Sequence, residues 1–137
     1  MTGRERIQKT FRLEKTDRIP WLPFVGSHAA ALVDITPDGF LRSADAIVRG
    51  MTIAAERYKP DGLPVTFDLQ IEAEAMGCEL RWSRENPPAV VTHVMEGRDL
   101  DSVLPLDMTA GRIPMIMDAA ARLRASLPDI ALFGLIT

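Results

Sequence analysis

Apolar positions recur along this chain with more than one period, and the changes of period sketch an architecture. From Ser43 to Tyr58, the residues Ile47, Met51, Ala54, Ala55 and Tyr58 fall on one helical face, with Arg49, Glu56 and Arg57 opposite. Ser43 is the expected N-cap, and Lys59-Pro60-Asp61-Gly62 the stop. A later helix takes Pro114 as its first residue and lays Ile113, Ile116, Met117, Ala120, Leu123 and Leu127 along its apolar side. A shorter one, over 3–13, is signalled by Thr2 and Glu5 at capping-box spacing and by Ile7 and Phe11 on one face. Between the helices lie apolar runs of strand length: "IPWLPFVG" (19–26), "LPVTFD" (63–68) and "IALFGLIT" (130–137).

A strand, a helix and a tight turn into a second strand make a βαβ unit, so these strands are predicted to be parallel. Residues 27–42 are read as a connection, with turn chemistry at Thr36-Pro37-Asp38-Gly39. A helix over 69–76 follows the second strand and is closed by Gly77 at C′. "CELRW" (78–82) and "AVVTHVM" (89–95), separated by "SRENPP", are predicted to pair as a hairpin inserted off the main sheet, and Asp99–Ser102 to form a turn of helix. Three parallel strands leave an open edge and an uncovered face. The expectation is therefore an α/β fold, residues 1–137 being one partial domain, the N-terminal part of a (β/α)8 barrel. The weighed alternative is a small three-strand domain completed by a partner.

Composition narrows the function classes. The net charge is −3, from 16 basic and 19 acidic residues that are scattered along the chain, which argues against nucleic acid as a partner. Cys78 is the one cysteine, so no intrachain disulfide framework is possible. No apolar run approaches the roughly 20 residues of a membrane span, and "MTGRERIQKTF" lacks the apolar stretch of a signal peptide. The expected compartment is the cytoplasm, with no membrane partner.

In parallel α/β folds, functional groups gather at the carboxyl ends of strands. That rule selects Gly26-Ser27-His28, then Asp68-Leu69-Gln70, then Thr137. Asp68 is the leading candidate: a carboxylate there can hold a cationic group or stabilise developing positive charge. It can equally cap the helix at 69–76, which is worth about 1 kcal/mol, and the two roles are compatible. His28 offers a general base, a ligand or a hydrogen-bond donor, against a purely structural role. Glu72 lies four residues past Asp68, on the pocket side of its helix, while Glu74 points elsewhere. His93 ranks lower, and Cys78 has no partner at zinc spacing. No phosphate loop, GxSxG elbow or HExxH helix occurs.

Several strings, in order, resemble the uroporphyrinogen decarboxylase superfamily, which holds the decarboxylases of haem biosynthesis and the cobamide-dependent methyltransferases. "RERIQKTFRLEKTDRIPWLPF" is similar to the family's first helix and its Pro-Asp-Arg-x-Pro-like turn; "VTFDLQIEAEAMGCEL" resembles its second strand, aspartate and short helix; "PDIALFGLIT" resembles a later strand. The resemblance implies the first two-fifths or so of the barrel. It implies for Asp68 the role of the aspartate that, in the decarboxylases, receives pyrrole N–H groups. Where those enzymes carry two carboxylate-binding arginines, this chain has Pro23 and Ser27 in "WLPFVGSH". "EAEAMG" looks like the methyltransferase branch, which implies zinc, a cobamide and a corrinoid protein as partner, with the zinc ligands beyond Thr137. The reading is thus a corrinoid- and zinc-dependent methyltransferase acting on a small methyl donor. Asp68 is then catalytic, and His28, Glu72 and Ser27 line the pocket for a small-molecule substrate or tetrapyrrole. This stretch by itself is expected to bind no cofactor and to be inactive. The alternatives are uroporphyrinogen III decarboxylase of porphyrin biosynthesis and a non-catalytic truncated half-barrel.

Overall fold

The computed structural model describes residues 1–102 and 105–135. Two long helices supply much of the core. α4 (Ala44–Tyr58) starts where the Ser43 hydroxyl accepts the Ala46 N–H at 3.2 Å and ends on Lys59 in the left-handed region. α6 (Ile113–Ser126) has Pro114 in its first turn, where a missing N–H costs nothing. The two helices pack on each other, and Ile47, Met51, Ala54, Ala119 and Leu123 join Leu63 and Val65 in one core. Fully burying a side chain such as Leu123 contributes about 1.5–3 kcal/mol. The buried face of α6 is largely the predicted one, with Ile113 and Leu123 sealed and Ile116, Ala120 and Leu127 packed against the core. Met117 lies exposed, and Ala119 is sealed in addition.

β1 (Gly62–Pro64) pairs in parallel with β4 (Ala131–Phe133), Leu63 opposite Leu132. The ladder runs on at both ends, from Ala131 N–H to the Asp61 carbonyl and from Val65 N–H to the Phe133 carbonyl, each 3.0 Å. α1 (Gly3–Phe11) begins with the full capping box of Thr2 and Glu5. α5 (Ile71–Ala75) ends as expected at Gly77, whose φ of 98° lets the Cys78 N–H reach the Ala73 carbonyl. β2 (Glu79–Arg81) and β3 (Ala89–Thr92) form the predicted antiparallel hairpin, bulged between Glu79 and Leu80. A single 3₁₀ turn covers Leu100–Ser102.

Two expectations are corrected. Residues 19–26 run beside β1 without becoming a strand. Their backbone link to it is the Asp61 N–H donated to the Trp21 carbonyl at 3.0 Å, and Pro20 and Pro23 remove two of the donors a ladder would need. Residues 27–42 are not a plain connection but hold α2 (His28–Ala31) and α3 (Pro37–Leu41), with Pro37 opening the second. Both dock on α4, and at Gly50 a Cβ would meet the Phe40 ring at 2.7 Å and the Ala29 carbonyl oxygen at 2.8 Å.

A charged knot fastens the amino end of β1. The Asp61 carboxylate is buried and accepts from Arg6 Nη1, from Arg18 Nη1 and Nη2 at 2.6 and 2.8 Å, and from the Trp21 N–H at 2.8 Å. Arg6, buried as well, grips Asp17 through Nε and Nη2 at 2.6 and 2.7 Å. Burial is the largest single influence on Asp61 and pushes its carboxyl up. The bonds from Arg18, the Trp21 N–H and Arg6 together outweigh it and hold the group below the usual carboxylate range. Asp17 is depressed chiefly by its bond from Arg6.

Asp61→Asn is expected to cost about 1–3 kcal/mol in urea unfolding, because buried Arg6 loses one of its two carboxylate partners and keeps only Asp17. Arg18→Gln, at a half-exposed side chain, should cost about 1 kcal/mol or less. Both aspartates have folded pKa values below their unfolded ones. Their contribution is therefore present at neutral pH and lost as pH falls through the folded values, so Asp61→Asn should flatten the acid limb of stability against pH.

Candidate functional site at the carboxyl end of β1

Past Pro64 the chain stays buried through Val65 and Thr66, then reaches Asp68. Asp68 does not cap α5 directly. Its Oδ1 accepts the Gln70 N–H at 2.9 Å in a two-residue Asx turn, which puts Gln70 in the cap position. Its Oδ2 accepts from Arg112 Nη1 at 2.5 Å, and the Asp68 side chain is closed off from solvent. Arg112, just ahead of α6, bridges further: Nε donates to Glu74 Oε2 at 2.6 Å and Nη1 to the Leu41 carbonyl at 3.0 Å. Its guanidinium lies 4.7 Å from the centroid of the Trp82 ring, and that of Arg42 lies 4.8 Å from the same ring. Arg112 Nη2 and Thr66 Oγ1 are buried with no partner among the described residues.

Phe24 brings the 19–26 segment to this same end. Its ring meets Phe67 at 5.4 Å and Phe133 at 6.1 Å, and Gly26 packs on Phe67. A cavity of about 110 Å³ sits beside Asp68, lined by Phe67, Leu69, Gln70, Pro87 and Pro88 as well. The remaining predicted residues are dispersed. Ser27 is half-exposed and makes no cap bond to α2. His28 is exposed and pairs through Nε2 with the Tyr58 hydroxyl, at 2.6 Å, on the last turn of α4. Neither lines the Asp68 cavity. Glu72 is half-buried on α5, and it is Glu74, set aside at the sequence level, that reaches Arg112. Thr137 lies outside the described residues.

Arg112 and Trp82 were not foreseen. One signal was present: a cation just before a helix opposes the helix dipole, so it calls for a nearby anion. Among the described residues no group of three His, Cys, Asp or Glu could hold a metal ion, and the Cys78 sulfur accepts the Val94 N–H at 3.4 Å. No helix among them is long and apolar enough to cross a membrane.

Parallel strands backed by helices, with the buried polar cluster at the strands' carboxyl end, define part of an α/β barrel. The family model described as uroporphyrinogen decarboxylase (URO-D) matches residues 2–137, and the chain belongs to that family. No curated protein matches it. Among solved structures, a methyltransferase from Methanosarcina mazei superposes with a TM-score of 0.82 at 20% identity, over 99% of this chain and 42% of its own. This chain thus spans less than half the length of that protein, and the likeness bears on fold.

Arg112→Met should destabilise by about 3–5 kcal/mol, since it strands Asp68 without a countercharge. A double-mutant cycle with Asp68→Asn, followed by urea unfolding, should return a coupling of about 0.5–3 kcal/mol.

Proposed function

We propose that this chain is the N-terminal part of a methyl-transferring member of the family, with Asp68 a fixed carboxylate at the mouth of its substrate or cofactor pocket. The observation that carries this reading concerns arginine. The 19–28 stretch contains none, and the buried guanidinium beside Asp68 is committed to Asp68 and Glu74. A tetrapyrrole bearing many carboxylates would therefore lack bidentate cationic partners here. The likeness to a methyltransferase fold leans the same way.

Among the described residues no cluster of His, Cys, Asp or Glu fits a zinc ion, so on this reading zinc would be held by residues outside this stretch. A cobamide would come with a corrinoid protein. Ser27 and His28 belong, on this reading, to the outer approach rather than to the pocket floor, and Glu72 to its α5 wall. The exposed Ile19, Trp21 and Phe24 favour completion of the barrel by further chain, without which no turnover is expected.

The test uses the polypeptide that carries the whole barrel. Methylcobalamin and a small thiol are mixed with it, and demethylation is followed in the visible spectrum. Methyl transfer is expected, falling about a hundredfold per folded molecule in Asp68→Asn. Release of carbon dioxide from uroporphyrinogen without methyl transfer would make the protein a decarboxylase instead. Neither activity from the folded barrel would favour a non-catalytic role.

A further inference from the structure

A second cavity, of about 200 Å³, opens between the end of α5 and the chain beyond β3, with Met76, Val94, Met95, Arg98, Leu106 and Asp107 in its wall. It lies within residues 68–112, the connection that leaves the carboxyl end of β1, where barrels keep their ligand-contacting loops. Most of its wall is apolar or thioether, and methionines repack easily around small bodies. Ligand pockets run from about 300 to 1,000 Å³, so this one is too small for a tetrapyrrole and suits a molecule of few heavy atoms.

Two charges of opposite sign share this wall without meeting. The Arg98 side chain has no hydrogen bond or ion pair among the described residues. Asp107 Oδ1 accepts from the Thr109 N–H at 2.8 Å and from its hydroxyl at 2.7 Å, which fixes the carboxylate in place. The hydroxyl bond, followed by the N–H bond, also holds its carboxyl below the usual range, so it is negative at neutral pH. A simple anion would be attracted by one wall residue and repelled by the other, and a simple cation likewise. A molecule carrying both charges satisfies both.

We propose that this cavity binds a small zwitterion of amino-acid type, its carboxylate on Arg98, its ammonium toward Asp107 and its apolar body against Met76 and Met95. The site stands apart from Asp68 and does not depend on the methyl-transfer reading.

Titration of the polypeptide that carries the whole barrel with L-methionine, N-acetyl-L-methionine and L-methioninamide, followed by the methyl resonances of Met76 and Met95, tests it. L-methionine should shift those signals saturably, and each singly charged analogue should bind about tenfold more weakly or worse. Arg98→Gln and Asp107→Asn alter exposed side chains and should leave the thermal melt in place while lowering L-methionine affinity by about tenfold. No saturable shift with L-methionine would overturn the proposal. So would equal binding of all three compounds, or affinity unchanged in Arg98→Gln.

Discussion

The burial of one carboxylate at the foot of β1 organises the first half of this molecule. Asp61 collects donors from α1, from the turn after it and from the 19–26 segment, three stretches with no secondary structure in common. A buried charge tolerates little displacement, because each lost partner exposes the full cost of desolvation. The knot therefore does for residues 19–26 what a strand ladder would have done. It sets their height and direction along β1, although their prolines forbid regular pairing.

Four residues past the end of the same strand lies a second buried aspartate, Asp68, and the two are bound differently. Asp61 is held by arginines that precede it in sequence, Asp68 by one that follows it across the whole hairpin insertion. Barrels keep stability at the amino ends of their strands and ligand contacts at the carboxyl ends. Here both ends use ion pairs, and the carboxyl end adds the Trp82 ring against Arg112, a small cavity beside Asp68 and the unpartnered Arg112 Nη2 and Thr66 Oγ1.

Local signals were the legible ones. The Thr2–Glu5 capping box, the Ser43 cap, the face of α4, the Gly77 terminus and the hairpin all follow from neighbouring residues, and each is in place. Parallel pairing of β1 with β4 followed from topology alone. What sequence could not supply were contacts closed over long separations. Asp61 reads as an ordinary turn residue in Lys59-Pro60-Asp61-Gly62 until Arg6 and Arg18 are seen to converge on it. Asp68 was singled out by position, but its Arg112 partner lies 44 residues away, and the preference for Glu72 over Glu74 turned on a helix phase that five residues do not fix. The face of α6 was legible as well, apart from Met117, which lies exposed, and Ala119, which is sealed without having been foreseen.

The two tryptophans of this chain happen to stand one at each end of the strand axis. Trp21 is half-exposed and fixed by its backbone to the Asp61 knot, whereas Trp82 is shielded beneath the guanidinium groups of Arg42 and Arg112. Their indole emission should accordingly differ in colour and in access to quenchers. The fold thus carries a pair of built-in optical reporters, able to tell loosening at the base from rearrangement at the mouth without any added label.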